Sequence, residues 1–362
     1  MIPPEIIFDA FAFVLGAAIG SFLNVVIYRL PRDLSINQPR RSFCPSCQKP
    51  IPWYENLPLV SWLLLRGRCR RCGARISFRY FVVELLTAFL FLIIWQSFPW
   101  PIAICYWVFI ALVIAATFID FEHFIIPDEI TLGGTAAGLL ASVIVPELMG
   151  PDRRLLALAL SAGAAALGYV VLWLVLEGGK LVFGKKRVRL EQPAAFSWLR
   201  RGDDADLVVG EEKSLWSEFF ARETDELLLY CANATVADRH FDDTILRFRY
   251  NRLQIGSDNF ELDQVDEIHG TVKQIQIPRE AMGRGDLKFL ASVGAFLGWP
   301  AVLFSVFAGS LYGSIVGLLT LALGKRVWSL KLPFGPYLAL GAVSWMFFGE
   351  ALLSWYQSLI VH

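Results

Sequence analysis

Residues 111–128 read ALVIAATFIDFEHFIIPD. An apolar run ends on a single acid, Asp120; Phe121, Glu122 and His123 interrupt it; Ile126, Pro127 and Asp128 then lead into another apolar stretch. Counted from residue 101 to 119, the first run is long enough to cross a hydrocarbon core of about 30 Å. Asp120 is therefore a carboxylate at a membrane boundary. Such a group is costly to desolvate, and ionisable residues at that depth usually face the bundle interior and serve a function.

The rest of the chain agrees with a membrane setting. Its 362 residues are 56% hydrophobic and 18% charged, with a mean hydropathy of +0.51, above the range of ordinary soluble domains. Further apolar runs occupy roughly residues 7–28, 80–98, 131–148 and 155–177, and a last one runs from about Tyr337 to Tyr356. The stretch from Leu287 to Gly324 is too long for one crossing and carries Gly298 and Pro300 near its middle, which predicts a helical hairpin. The expected fold is an all-α polytopic membrane protein of about eight transmembrane helices.

Lysine and arginine set the orientation, because positively charged loops stay cytoplasmic. Residues 29–79 hold Arg29, Arg32, Arg40, Arg41, Lys49, Arg66, Arg68, Arg70, Arg71, Arg75 and Arg79. With that loop inside, counting spans puts Asp120, Lys185 to Arg189, Asp286 and Lys325 to Lys331 on the same side; Arg153 and Arg154, in a short external turn, break the rule. The N-terminus has Glu5 and Asp9 ahead of its apolar run instead of a basic region, so a retained first span with its N-terminus outside is expected.

Charge also marks an insert. Of the 33 acidic residues, 19 lie between Leu181 and Glu280. Thr244 to Ile255 (TILRFRYNRLQI) alternates in part, Thr271 to Ile277 is rich in β-formers, and Leu215 to Arg222 reads as helical. The expected divisions are a first transmembrane helix at 1–28, a cytoplasmic zinc-binding loop at 29–79, transmembrane helices carrying Asp120 at 80–180, an inserted small β-rich or α+β soluble domain at 181–280, and C-terminal helices at 281–362. A formal net charge of zero gives no global field that would favour nucleic acid as a partner.

A second acid resembles the first in its placement. Asp286 closes Gly283-Arg284-Gly285-Asp286 and is followed at once by Leu287, Lys288 and an apolar run. Two carboxylates at close range cannot both ionise easily; sharing a proton, they can activate a water between them and protonate a carbonyl. Gly283 and Gly285 carry no Cβ, so an extended peptide can lie close to Asp286. This chemistry hydrolyses a peptide with no covalent intermediate. Taken singly, Asp120 and Asp128 could instead cap helix ends and the Gly-Arg-Gly-Asp run be an ordinary turn.

Cys44, Cys47, Cys69 and Cys72 form two Cys-x-x-Cys pairs in the basic loop, a setting foreign to secretory disulfides and suited to a four-thiolate zinc site of structural role. Cys105 and Cys231 read as buried free thiols. Glu84, near the cytoplasmic end of the second span, is either paired or a polar contact to the bundle or a cofactor. His123 reads as a loop histidine near Asp120. His240, His269 and His362 are scattered and suggest no ligand set.

These motifs resemble the type IV prepilin peptidase family, the prepilin leader peptidase/N-methyltransferases among the Gly-x-Gly-Asp aspartyl proteases. The resemblance rests on GSFLNVVIYRLP at 20–31, the cysteine pairs with WYENLPLVSWLLLRGRC at 53–69, Asp120 ahead of Ile126-Pro127-Asp128, GRGDLK at 283–288 and PFGP at 333–336. It implies cleavage of the basic leader of type IV prepilins and pseudopilins after a glycine, at the cytoplasmic face of the bacterial inner membrane. Methylation of the new N-terminal residue from S-adenosylmethionine would follow. Asp120 and Asp286 match the catalytic aspartates, and the four cysteines match the zinc loop of the longer, methylating members; Asp128 matches a frequent acidic or amide position outside catalysis. The insert departs from the family, whose two aspartates are usually separated by a short segment. It could gate entry, sense a ligand or, through residues 185–280, bind pilus or secretion machinery.

Two other classes compete. A transporter coupling ions through paired carboxylates predicts related halves, which are not found. A silent scaffold with a zinc ribbon would tolerate Asp→Asn at both sites. Within the enzyme class, the rival is a peptidase without methylation, since no glycine-rich methyl-donor loop is recognisable.

Overall fold

The computed structural model describes residues 3–39, 41–183, 186–201, 204–210, 212–216, 219–220, 226–249, 251–277, 283–322 and 333–360. Arg40, Lys185, Glu280, Lys325 to Lys331 and His362 lie outside them. The chain divides into two compact units, residues 1–174 with 282–362, and residues 175–281.

The first unit is helical. Its elements are α1 (Pro4–Arg29), a short α2 (Val60–Leu64), α3 (Phe78–Ser97), α4 (Trp100–His123), α5 (Asp128–Ile144), the greater part of α6 (Arg154–Phe183), α7 (Arg284–Ala322) and α8 (Gly335–Ile360). Six of the described helices are long and apolar enough to cross a membrane. Large apolar side chains such as Leu155, Phe307 and Trp355 stand exposed along them, as lipid-facing positions do. The chain is thus a multi-pass membrane protein.

Small residues set the helix spacing. A Cβ on Gly16 would lie 2.8 Å from Ala88 Cα, and one on Gly20 2.7 Å from Glu84 Cα, so α1 and α3 cross nearly backbone to backbone. α6 and α7 do the same reciprocally: a Cβ on Gly168 would lie 2.5 Å from the Leu290 carbonyl oxygen, and one on Gly294 2.3 Å from that of Ala164.

The expected hairpin is present. α7 leaves helical geometry at Gly298 (φ 77°, ψ 176°), followed by Pro300. Before Gly298, α7 runs parallel to α5, since Lys288 meets Asp128 while Ser292 and Ala295 meet Gly134 and Gly138. After it, α7 runs antiparallel to α8, since Ser305 meets Gly341 and Gly309 meets Tyr337. The two halves therefore run in opposite directions, with Met149 beside the turn at Gly298.

The second unit is an eight-stranded antiparallel sheet in the order β3-β2-β1-β8-β4-β5-β6-β7. Its strands are β1 (Lys186–Arg201), β2 (Asp204–Val209), β3 (Glu212–Leu215), β4 (Glu226–Val236), β5 (Arg239–Arg249), β6 (Arg252–Ile255), β7 (Asp258–Glu261) and β8 (Glu267–Ile277). Alternation puts Leu227, Leu229, Leu246, Phe248, Leu253 and Ile268 in one buried cluster with Trp198 and Trp216. The first and last strands are neighbours, with Lys186 opposite Ile277. Entry and exit of the insert therefore meet, and a domain of this size interrupts the chain without separating its ends.

The helix expected over Leu215 to Arg222 is described only in part. Leu215 closes β3 against Asp206, Trp216 takes 3-10 helical geometry, and Trp216 and Phe220 are buried in the sheet core; residues 217–218 and 221–222 lie outside the described residues.

Candidate active site

Asp120 sits in the last turn of α4 and is 5% exposed; Asp286 sits in the first turn of α7 and is 6% exposed. Each carboxylate accepts a backbone N–H. Gly335, opening α8, donates to Asp120 Oδ2 at 3.1 Å, and Gly283 donates to Asp286 Oδ2 at 3.1 Å. The second bond is half of a capping box, in which the third helical residue reaches back to the residue before the helix. Capping explains why Asp286 faces the start of α7, but not why a carboxylate is buried there.

Ile126, 7% exposed, packs against a glycine beside each acid. A Cβ on Gly285 would lie 3.1 Å from the Ile126 carbonyl oxygen and 3.2 Å from its Cβ; one on Gly335 would lie 2.9 Å from Ile126 Cδ1 and 2.6 Å from Asp120 Oδ2. The segment leaving α4 makes this possible, because Phe124 takes a left-handed turn (φ 56°) with its N–H on the Asp120 carbonyl. Pro127 then fixes the start of α5. Gly285 thus serves close packing on Ile126, while Gly283 serves as the N–H donor to Asp286.

Asp128 points elsewhere. Both its oxygens accept from Lys288 Nζ, at 2.6 and 2.8 Å, which ties α5 to α7 at their parallel starts. His123 approaches Arg32 at 3.4 Å through Nε2, away from the contacts of Asp120. Glu84 is buried and its Oε2 accepts the Leu59 N–H at 2.7 Å. Sequence reasoning did not identify Gly335 as a partner of Asp120: the two are 215 residues apart, and only the PFGP motif hinted at a role.

The four loop cysteines converge. Their sulfur atoms all lie within 4.8 Å of one another, with Cys44 and Cys72 Sγ 3.8 Å apart. Tetrahedral metal–thiolate bonds of about 2.3 Å place sulfurs about 3.8 Å apart, so the set fits a metal. The two halves repeat one design: the Cys44 N–H bonds the Lys49 carbonyl and the Cys69 N–H that of Ala74, after left-handed residues Gln48 and Gly73. The backbone N–H groups of Cys72 and Arg71 hold the Cys69 thiol down to about 7, while burial and the neighbouring sulfurs push the Cys72 thiol up to about 11. Arg29 orders the start of the loop by donating to the carbonyls of Ser35, Ile36 and Pro39.

Two family profiles match the chain: the bacterial peptidase A24 N-terminal domain over residues 14–98, and the type IV leader peptidase family over residues 107–189 and 272–318. The interruption falls on the sheet unit. A prepilin leader peptidase/N-methyltransferase of Myxococcus xanthus (strain DK1622) is 49% identical over 134 residues, 37% of this chain and 40% of that protein. One of Aeromonas salmonicida (strain A449) is 29% identical over 98% of this chain and 96% of its own length. One of Neisseria gonorrhoeae is 36% identical over 48% of this chain and 66% of its own. No solved structure matches the chain. With both profiles matched in order around the insert, and a relative aligned along nearly its whole length, the chain belongs to the type IV leader peptidase family.

Proposed function

We propose that this protein cleaves the leader of type IV prepilins and pseudopilins by aspartyl-protease chemistry and then methylates the new N-terminal residue. The observation that carries the peptidase reading is the pair of buried carboxylates, Asp120 and Asp286, each accepting a backbone N–H, with the glycines beside them, Gly335 and Gly285, both packed on Ile126. Asp120 and Asp286 share a proton and hold the attacking water. One takes the water's proton while the other protonates the scissile carbonyl, and the resulting gem-diol collapses to carboxylate and amine. The names of the matched relatives support both activities.

Eight crossings fit the helices better than six. α5 has 17 residues and is about 25 Å long at 1.5 Å per residue, and α7 reverses at Gly298. Starting outside, eight crossings bring the loop at 29–79, Asp120, the sheet unit and Asp286 to the cytoplasmic face of the bacterial inner membrane, the side favoured by the arginines of that loop.

Cys44, Cys47, Cys69 and Cys72 hold a structural zinc ion. Four protein thiolates complete a tetrahedron and leave no position for a reacting water. S-adenosylmethionine, when bound, supplies the methyl group. The test is a prepilin incubated with membranes containing the protein, followed by mass spectrometry of the mature N-terminus. Loss of the leader with gain of one methyl supports both activities; leader loss alone leaves a peptidase, and an intact prepilin contradicts the reading.

A further inference from the structure

A cavity of about 390 Å³ lies away from the aspartates, between the ends of α1 and α3 and the cysteine loop. Cys44 and Cys69 are in its wall, so a metal in the loop would also shape this cavity. Its size suits a ligand of a few tens of atoms.

Its polar groups are unusual. Among the described residues, five buried side-chain nitrogen or oxygen atoms have no hydrogen-bond partner, and three of them, Asn24 Oδ1, Trp62 Nε1 and Arg79 Nε, belong to residues that line this cavity. Asn24 is 2% exposed and spends its amide N–H on the Tyr80 carbonyl at 3.0 Å, leaving its oxygen unmatched. A buried polar atom without a partner costs about 1–3 kcal/mol, so three beside one cavity point to a polar ligand that satisfies them.

Charge narrows the class. Glu55, Glu84 and Glu122 line the same space with Arg29, Arg70, Arg75 and Arg79, as do the rings of Tyr28, Tyr80 and Trp62. Arg70 pairs with Glu55 and Arg79 with Glu122, so Glu84 and the aromatic faces are what can attract an organic cation, while the arginines suit a carboxylate. Glu84 is 8% exposed and is fixed by the N–H of Leu59, which holds a left-handed φ of 63° that a leucine rarely adopts. Strain of this kind persists where the surroundings impose it, often at ligand sites. One unmatched acceptor, two unmatched donors, acids and ring faces suit a molecule with a cationic centre, a carboxylate and a heterocycle that both donates and accepts.

We propose that this cavity is the methyl-donor site and binds S-adenosylmethionine through Asn24, Trp62, Arg79 and Glu84; the proposal rests on the methylation reading above. α4 separates it from the peptidase site: Glu122, paired with Arg79, lines the cavity two residues after Asp120. A newly cleaved N-terminus therefore has a short path from one site to the other.

The test uses the full-length protein in detergent, titrated calorimetrically with S-adenosylhomocysteine as the probe, for wild type, Trp62→Phe and Glu84→Gln. Trp62→Phe removes the N–H but keeps a ring. Both variants should bind the probe at least tenfold more weakly and show a raised KM for S-adenosylmethionine, with prepilin cleavage by the same samples showing that they are folded. If the wild type methylates while probe affinity and donor KM are unchanged in both variants, the cavity is not the donor site. If the wild type cleaves but adds no methyl, the methylation reading falls and the proposal with it.

Discussion

The backbone N–H of Gly335 donates to Asp120 Oδ2 at 3.1 Å, and a Cβ at position 335 would come within 2.6 Å of the same oxygen. The start of α8 is thus fitted against the carboxylate with no space for a side chain. In Gly335→Ala either the hydrogen bond lengthens or Asp120 turns away. A displacement of about 1 Å at reacting groups costs on the order of 100-fold in rate. Prepilin cleavage by Gly335→Ala should therefore fall about 10- to 100-fold, with the protein still accumulating in membranes; assays on membranes matched for protein content would show it.

Asp128 sits close to Asp120 in sequence but is engaged by Lys288 Nζ at 2.6 Å, with the lysine side chain 30% and the aspartate 58% exposed. An ion pair this open to solvent contributes at most about 1 kcal/mol. Lys288→Ala and Asp128→Ala should each leave cleavage within a few-fold of wild type. The measurement is kcat/KM for both variants and for the double variant, which should be no worse than either alone; a collapse of activity in Asp128→Ala would place that acid in the chemistry.

The cysteine loop should be separable from peptide cleavage. Removing metal, or changing Cys44 and Cys72 to Ser together, breaks the tetrahedron of sulfurs that lie within 4.8 Å of one another. The expected outcome is loss of one bound zinc per chain by elemental analysis and faster proteolysis within residues 41–76. Methylation should fall at least tenfold while cleavage persists.

The sheet unit should be dispensable for hydrolysis. Its own buried cluster includes Phe248 at 0% exposure, so Phe248→Ala should cost about 3–5 kcal/mol within that unit. Because Lys186 pairs with Ile277, a short flexible linker can replace residues 186–277 without stretching the chain. A chain shortened in this way should still cleave prepilin. Loss of cleavage in a shortened chain that still inserts would assign the unit a part in catalysis.

Much of the helical unit was legible because apolar length is a one-dimensional signal. The hairpin at Gly298 and Pro300 and the pairing of the cysteines followed from spacing alone. The sheet was less legible. β1 carries Pro193 and several charges, and its register with β8 shifts between Arg189 and Ala194, which spoils simple alternation. Trp216 is in 3-10 helical geometry and Phe219 in a turn, and spacing alone does not tell so short an element from a longer helix. The partners of the acids were hidden for another reason: the N–H groups of Gly283 and Gly335 carry no side-chain signature, and the contact of Asp120 with Gly335 depends on α8 packing beside α4.

The most direct test of the central claim is cleavage of a prepilin, in membranes, by wild type, Asp120→Asn and Asp286→Asn. Asparagine keeps the shape and the bond from Gly335 or Gly283 but can neither share a proton nor take one from water. General acid–base groups contribute about 100- to 10,000-fold, so each variant should lose at least about 100-fold in cleavage while remaining as abundant and as stable as wild type. If either variant cleaves at the wild-type rate, the two buried aspartates do not perform the hydrolysis.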